Sequence, residues 1–227
     1  MPEKRFISAF DAIGPIMVGP SSSHTAGAVR LGLMGHALLG CTPQHALIRL
    51  HGSFAQTGRG HGTDRAIIAG LLGLDTADRR IRLSHALAAD CGLTFSFEEA
   101  ELGAEAHPNT AQFILTAGER QVIYTGSSLG GGMIEISELQ GYPVSFNGEF
   151  STLIIISADQ PGTINTITGW LAEAHINVAF LKVGREKLGE EAIMIIETDQ
   201  AVPPGLSERI SALPWVRWSR FVPKLGD

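Results

Sequence analysis

The chain has 227 residues, of which 44% are hydrophobic and 18% are charged. This balance is typical of a folded protein with one large or two ordinary domains, and it excludes an intrinsically disordered chain. The net charge of -6 argues against a general nucleic-acid binder, and no run of Lys and Arg contradicts this.

Membrane and redox signals are weak throughout the sequence. No window is long and apolar enough to span a bilayer, and the first residues lack the apolar core of a signal peptide, so we expect a cytoplasmic protein. Cys41 and Cys91 stand fifty residues apart, and neither belongs to a CxxC pair. They indicate no zinc site and no redox motif, and we expect both to be buried as small apolar side chains.

The densest motif is residues 19–27, Gly-Pro-Ser-Ser-Ser-His-Thr-Ala-Gly. Pro20 cannot continue a preceding helix, and the three serines are strong N-cap candidates for a helix over residues 25–39. A helix start offers unpaired N–H groups to a carboxylate or phosphate, and His24 adds a group that can move protons. The alternative is a well-capped helix with a surface histidine. Internal glycines in this helix would permit close packing of another backbone.

The first half continues as alternating strands and helices. We expect a strand at 46–51, a glycine-rich loop at 52–60, and His61 just before a helix capped by Thr63. A short helix at 84–91 and strands at 93–97, 112–116, 121–125 and 132–136 follow. The turn at 107–110 and the glycine-rich stretch 126–132 join these strands, and a plain hairpin is the alternative to a ligand-binding role for the second.

The second half has a different pattern. Its predicted order of strands and helices is β-α-β-β-α-β within about 75 residues, which is a ferredoxin-like unit with a four-stranded antiparallel sheet. We therefore predict an α+β protein with a mixed α/β domain at 1–148 and a ferredoxin-like domain at 149–227.

Two stretches of this second domain resemble the ACT family, whose members sense small ligands. They are Asp-Gln-Pro-Gly at 159–162, followed by a helix, and Ala-His-Ile-Asn-Val at 174–178. The resemblance implies effector contacts and a dimer in which sheets pair side by side. The effector residues that it implies are Asp159, Pro161, Gly162 and Asn177.

Five motifs of the first domain together resemble the beta chain of iron–sulfur-dependent L-serine dehydratases. They lie in order at residues 11–15, 19–27, 58–64, 107–110 and 126–132. The family's two-subunit bacterial form also carries an ACT domain after this region, and the first domain resembles allosteric substrate-binding domains. The resemblance covers essentially the whole chain.

This resemblance implies a lyase that converts L-serine to pyruvate and ammonia and so supplies gluconeogenesis. In the family, a [4Fe-4S] cluster has an unligated iron that acts as a Lewis acid on the substrate hydroxyl. Such a cluster needs at least three thiolates, and this chain has two isolated cysteines, so we expect it on a partner alpha chain. We expect no metal site here, no activity from this chain alone, and L-serine as substrate and as an effector.

Elimination from serine requires loss of the Cα proton, which needs a base. His24 and His61 are the catalytic candidates, although the base could lie on the alpha chain. The expected substrate-binding residues are Ser21, Ser22, Ser23, Thr25, His107 and Asn109. We expect no catalytic role for the remaining histidines, namely His36, His45, His51, His85 and His175.

A second interpretation assigns the chain no catalytic residue. In that case the first domain resembles the allosteric substrate-binding domain of some phosphoglycerate dehydrogenases. The chain would then be a regulatory subunit that binds an amino acid or another anion at the helix start near Ser21.

Overall fold

The computed structural model describes residues 16–185, 187 and 189–225. The chain forms two compact units that divide between Glu135 and Ile136, and both combine strands with other elements. The predicted α+β class is confirmed. The boundary near residue 148 stays a prediction, and residues 11–15, which contribute to the resemblance, lie outside the described residues.

The first eighty residues of the described chain are mostly helical. They contain a π-helical turn Ser22–Gly27, α1 Ala28–Leu39, β1 His45–Leu50, α2 Gly52–His61, α3 Thr63–Leu71, a 3₁₀ turn Arg79–Leu83 and α4 Ser84–Asp90. The following strands are β2 Thr94–Glu99, β3 Thr110–Ala117, β4 Arg120–Gly130, β5 Met133–Leu139 and β6 Tyr142–Phe146. The sheet has the order β2-β1-β3-β4-β5-β6; β1 runs parallel to β2 and antiparallel to β3.

Helix α2 replaces the loop predicted at residues 52–60, so that prediction is wrong. The three glycines lower helix propensity, but tertiary contacts outweigh this preference. The side chain of Phe54 is fully buried, and the N–H of Ser53 donates to the carbonyl oxygen of Pro108 at 2.7 Å. Gly52 stands at φ +54° where an added Cβ would lie 2.8 Å from that same oxygen. The turn after β2 therefore fixes where α2 begins.

Helices α1 and α3 cross at a pair of glycines. A Cβ added to Gly32 would lie 2.3 Å from the carbonyl oxygen of Ile67, and one added to Gly70 would lie 2.1 Å from that of Val29. Neither contact is possible for a real Cβ, so the two backbones approach as closely as only glycine allows. The expectation that the glycines of α1 permit close backbone packing is confirmed here.

The other side of α1 packs on the sheet through Tyr124. This side chain is fully buried and stacks on Phe113 with ring centroids 4.5 Å apart. Its hydroxyl donates to the carbonyl oxygen of Leu31 at 2.8 Å, and burial raises the pKa of Tyr124 well above its ordinary value. The hydrogen bond holds α1 at a fixed height over β4.

The second unit contains the predicted ferredoxin-like order. Its elements are β7 Ser151–Ala158, α5 Thr163–Glu173, β8 Val178–Arg185, β9 Glu191–Thr198, α6 Pro204–Ser211 and β10 Val216–Val222. The antiparallel sheet has the order β10-β7-β9-β8, so β8 is an edge strand. One sheet face and the two helices enclose a core built around Leu153, Ile155, Ile167, Leu171, Met194 and Ile196.

The two cysteines are not both buried as expected. Cys41 is half-buried, whereas Cys91 is exposed and its Sγ donates to the carbonyl oxygen of Leu87 at 2.7 Å. Cys91 ends α4, where unpaired carbonyl groups can accept a thiol proton, so hydrogen bonding replaces burial. In the part of the chain that the structure describes, no helix is long and apolar enough to cross a bilayer.

Candidate active site

The Ser-Ser-Ser-His motif forms the entry to α1. Ser21 is the N-cap: its Oγ accepts from the N–H of His24 at 3.1 Å, and its carbonyl oxygen accepts from the N–H of Thr25 at 2.9 Å. The residues from Ser22 to Gly27 then take a π-helical turn before α1 begins. Such turns are rare and are frequently found at functional sites. The backbone position of His24 is therefore fixed by the hydrogen bond of its N–H to Ser21.

The imidazole of His24 lies against α2. Its Nε2 is 3.0 Å from Thr57 Oγ1 and 3.2 Å from Ser53 Oγ, while its Nδ1 is 3.2 Å from Ser23 Oγ. Ser53 and Thr57 are four residues apart and so share one face of the helix. Both ring nitrogens thus have hydroxyl partners, and only 9% of His24 is exposed.

His61 brings the second imidazole to the same place. Its ring centroid lies 4.9 Å from that of His24, with the planes tilted by 42°. The carbonyl oxygen of Thr57 lies 3.1 Å from His61 Nδ1 and can only accept, so Nδ1 carries a proton. In the neutral ring the lone pair is then on Nε2. The structure therefore brings the two predicted catalytic histidines together.

Gly62 separates α2 from α3, and the prediction that Thr63 caps α3 is wrong. It takes φ +72° and occupies the N-cap position that had been assigned to Thr63. Thr63 is instead the first residue of α3 and is fully buried. A left-handed residue both ends α2 and starts α3, so no position remains for a side-chain cap.

Burial determines the charge of His24. Removal from water lowers the pKa of His24 from its ordinary value of 6.5, and the nearby positive charge of a protonated His61 lowers that pKa further. A hydrogen bond with the backbone of Ser53 opposes these effects to a smaller extent. Phe54 adds apolar surroundings, with its ring edge-on to His24 at a centroid distance of 5.3 Å. His24 is consequently neutral near pH 7 and can accept a proton.

The lowered pKa of His24 predicts a pH dependence of stability. Between its folded-state pKa and the ordinary value of 6.5, the unfolded chain binds more protons than the folded one. The free energy of unfolding therefore rises with pH across this window. As the pH falls below 6.5, the free energy of unfolding decreases, because the folded chain binds the proton less readily than the unfolded chain does. We expect the urea concentration at the unfolding midpoint to be lower at about pH 5 than at about pH 7. This difference should be smaller in a His24→Gln variant. An equal dependence of the urea midpoint on pH in the wild type and in His24→Gln would contradict the assignment to His24.

The hairpin between β4 and β5 supports the turn formed by Ser21, Ser22 and Ser23, which we call the serine turn. Ser22 Oγ accepts from the N–H of Gly131 at 3.2 Å, and Ser128 Oγ donates to the carbonyl oxygen of Ser23 at 3.0 Å. A Cβ added to Gly27 would lie only 1.9 Å from Ser128 Oγ, which explains the glycine at the end of the motif. The glycine-rich stretch is thus a hairpin that also holds the candidate site.

The turn at residues 107–110 contributes through its backbone. Pro108 accepts from α2 as described, and the carbonyl oxygen of Asn109 accepts from the N–H of Ser128 at 2.9 Å. His107 is exposed, and its Nδ1 accepts from the N–H of Asn109 at 3.1 Å. The turn therefore links α2 to β4, and the substrate contacts assigned to His107 and Asn109 stay predictions.

Among the described residues of this unit, four buried side-chain polar atoms lack a hydrogen-bond partner, and two of them belong to predicted substrate residues. Thr25 is 3% exposed and its hydroxyl is buried, while Asn109 has a buried Oδ1. The other predicted substrate residues already have hydrogen-bond partners: Ser21 and Ser22 bind backbone N–H groups, and Ser23 contacts His24. A bound carboxylate would therefore meet hydroxyls that are already oriented.

The predicted effector residues lie in the second unit, at opposite ends of its sheet. Asp159 follows β7, where Ala158 pairs with Glu191; Asn177 precedes β8, where Val178 pairs with Thr198. Seven registers of β9 separate the two ends, which corresponds to about 20 Å. Within one chain these two residues cannot touch the same small molecule.

Each end has its own polar contacts. Asp159 Oδ2 accepts from Gly189 N–H at 3.0 Å and from Arg185 Nη1 at 2.9 Å, and these contacts lower the pKa of Asp159 in that order. Gly162 takes φ +93° at the start of α5. Asn177 Nδ2 donates to Asp199 Oδ2 at 2.6 Å.

The described residues do not fit an iron–sulfur cluster. No three His, Cys, Asp or Glu side chains among them are grouped as metal ligands, and Cys41 and Cys91 are the only two cysteines in the sequence. A cluster requires at least three thiolates. The cysteine content of the chain falls short of this requirement.

The chain thus combines a unit that carries a pair of neighbouring histidines, His24 after the serines and His61 at the end of α2, with a ferredoxin-like unit. Residues 8–138 match the serine dehydratase beta chain family, and residues 151–214 match the ACT domain. The chain belongs to the serine dehydratase beta-chain family.

Full-length relatives agree with this assignment. The chain is 41% identical over 210 residues to the probable L-serine dehydratase, beta chain, of Bacillus subtilis, covering 92% of this chain and 95% of that protein. It is 36% identical over 217 residues to the L-serine dehydratase, beta chain, of Peptoniphilus asaccharolyticus, covering 95% and 97%. D-3-phosphoglycerate dehydrogenase of Methanocaldococcus jannaschii is 38% identical over 82 residues, or 36% of this chain and 16% of that protein.

Three contacting residues were missed from the sequence. Ser53 and Thr57 contact His24, and Ser128 supports its turn. Their spacing of four residues would have placed Ser53 and Thr57 on one face had the segment been recognised as helical. Ser128 lies in the glycine-rich stretch 126–132, which was identified as a motif, but its side chain was not singled out.

Proposed function

We propose that this chain is the beta subunit of an L-serine dehydratase, which converts L-serine to pyruvate and ammonia. The observation that carries the proposal is the His24–His61 pair: His24 follows the three serines, His61 ends α2, and their ring centroids lie 4.9 Å apart. The similarity to beta chains over more than 90% of the sequence supports it. The pyruvate would supply gluconeogenesis.

The residues of this chain would handle the Cα proton and the carboxylate of serine. The lowered pKa keeps His24 neutral near pH 7, and the neutral imidazole has the lone pair that a general base needs. His61 offers a second imidazole beside it. The hydroxyls of Ser21, Ser22, Ser23 and Thr25 would bind the substrate carboxylate or position His24, with His107 and Asn109 as further candidates.

We assign the [4Fe-4S] cluster of the enzyme to a partner alpha chain. The cysteine content of this chain supports the assignment, since two cysteines cannot supply three thiolates. The subunit alone would then be inactive. We place the assembly in the cytoplasm, where the thiols of Cys41 and Cys91 would stay reduced.

The proposal is tested by co-expression with an alpha chain and anaerobic assay of pyruvate release from L-serine. We expect activity and iron–sulfur absorption from the pair, and neither from this subunit alone. An isolated subunit that forms pyruvate, or an assembled pair with no activity on L-serine, would contradict the proposal.

A regulatory subunit without catalytic residues is the second candidate, favoured by the partial similarity to D-3-phosphoglycerate dehydrogenase. Calorimetry on the isolated chain distinguishes the two. A purely regulatory chain would bind serine or inorganic phosphate tightly without a partner, and substitution of His24 would leave the activity of the pair unchanged.

We further propose that the ACT domain forms a dimer along β8 and binds serine between the two copies. Leu181 and Val183 of this edge strand are 38% and 47% exposed. Antiparallel pairing of two β8 strands would set the start of one beside the end of the other. Asn177 of each chain would then approach Asp159, Pro161 and Gly162 of the other chain. One ligand could contact all four residues in the dimer, although Asn177 and Asp159 lie about 20 Å apart within one chain.

A Val183→Asp substitution is expected to weaken this dimer, because it places a charge in an apolar interface. Size-exclusion chromatography with light scattering measures the change. Leu83→Asp is the matched control, since Leu83 is 52% exposed in the first unit and should leave the mass unchanged. Asn177→Ala should alter the serine dependence of activity and retain the dimer. Unchanged mass in Val183→Asp would contradict pairing along β8.

A further inference from the structure

The hydroxyl of Thr57 determines which nitrogen of His24 carries the proton. Thr57 Oγ1 lies 2.8 Å from the carbonyl oxygen of Ser53, one helical turn earlier, and donates to it. A hydroxyl has one proton, so its oxygen must accept in the 3.0 Å contact with His24 Nε2. Nε2 is therefore protonated, and Ser53 Oγ at 3.2 Å is a second acceptor beside it.

The opposite nitrogen is consequently the basic one. In a neutral imidazole with a proton on Nε2, the lone pair is on Nδ1. That lone pair faces Ser23 Oγ at 3.2 Å, so Ser23 donates its proton to Nδ1. Ser21 Oγ at 3.3 Å from Ser23 Oγ already accepts from the N–H of His24, and it can orient the Ser23 hydroxyl from the other side.

Direct contact between a substrate and His24 is restricted. Only 9% of the residue is exposed, and both ring nitrogens have hydroxyl partners. A proton can still reach Nδ1 through Ser23. The Cα–H bond of the substrate would break as a new O–H bond forms at Ser23 Oγ, and the original O–H bond of Ser23 would break as an N–H bond forms at Nδ1. The electron pair of the Cα–H bond stays on the substrate, and His24 becomes a cation, so no other reactant is needed.

We infer that Thr57 is a positioning residue that keeps the proton of His24 on Nε2 and so directs the basic Nδ1 to Ser23, which relays the substrate proton. This inference rests on the proposed dehydratase function for the identity of the substrate. The hydrogen-bond arrangement itself concerns this chain alone and is tested separately.

The first experiment measures the tautomer in the full chain. Ring ¹⁵N spectra of histidine-labelled protein, at a pH where His24 is neutral, separate a protonated from a bare nitrogen, and His24→Gln identifies the signals. We expect a protonated Nε2 in the wild type, exchange between both tautomers in Thr57→Val, and the wild-type pattern in Thr57→Ser. A proton on Nδ1 in the wild type, or an unchanged tautomer in Thr57→Val, overturns the inference.

The second experiment measures kinetics in the pair formed with an alpha chain. Loss of one hydrogen bond predicts that Thr57→Val lowers kcat about three- to tenfold with little change in KM, and that Thr57→Ser restores it. Gln56→Val is the control, because Gln56 is an exposed neighbour on α2. A wild-type kcat in Thr57→Val overturns the inference. A wild-type pair that is inactive on L-serine contradicts the proposed function and leaves the tautomer result standing.

Discussion

His24→Ala in the assembled enzyme is expected to lower kcat for pyruvate formation by about 10²- to 10⁴-fold, the range that general acid–base groups contribute. The substitution removes the buried imidazole that Ser23, Ser53 and Thr57 contact. His61→Ala should also cause a large loss, because its ring lies beside that of His24. Steady-state assay of pyruvate at saturating L-serine measures both effects.

His45→Ala is the matched control for the two histidine variants. His45 starts β1, and α2 begins just beyond the other end of that strand, about 20 Å away. It should retain wild-type kcat. If His24→Ala and His61→Ala both retain activity while the protein stays folded, the catalytic assignment is wrong and the regulatory interpretation gains support.

Gly70→Ala is expected to lower the free energy of unfolding by about 3 kcal/mol, the upper end of the usual cost of overpacking. The new Cβ would lie 2.1 Å from the carbonyl oxygen of Val29 and 2.8 Å from the Cα of Gly32, so α3 must move away from α1. The better helix propensity of alanine offsets only about 1 kcal/mol. Urea denaturation followed by circular dichroism measures the loss.

Gly169→Ala tests whether this loss comes from the crossing or from glycine replacement in general. Gly169 lies within α5, and a Cβ added there meets no atom within 4 Å. This variant should be as stable as the wild type or slightly more stable. A similar loss in both variants would show that the close approach of α1 and α3 is not its cause.

The ferredoxin-like unit could be predicted in full because its signals are local. Pro161 and Gly162 mark the first turn, and the apolar residues of each strand and helix follow their own periods. Helix α2 could not be predicted in this way. Its composition favours a loop, and the contact that decides otherwise comes from Pro108, more than fifty residues along the chain. Long-range contacts of this kind leave no pattern in the segment that they order.

The candidate site shows the same division. His24 and the serines near it stand out because they crowd a predicted helix start, and His61 stands out as a second histidine in a similar place. Thr57 carries no such signal, since its role depends on the helix that was missed. The effector residues were predicted as one set, but strand register separates Asp159 from Asn177 within a chain.

The π-helical turn at Ser22–Gly27 allows the position of His24 to change while the packing of α1 stays the same. A π turn holds more residues than an α turn, and removal of one residue would rotate everything before it by about 100° relative to α1. His24 would then face away from α2, while α1 could keep its crossing with α3 and its bond to Tyr124. A single-codon deletion in this turn is therefore expected to remove the contact between His24 and Thr57 and to leave the supporting fold in place.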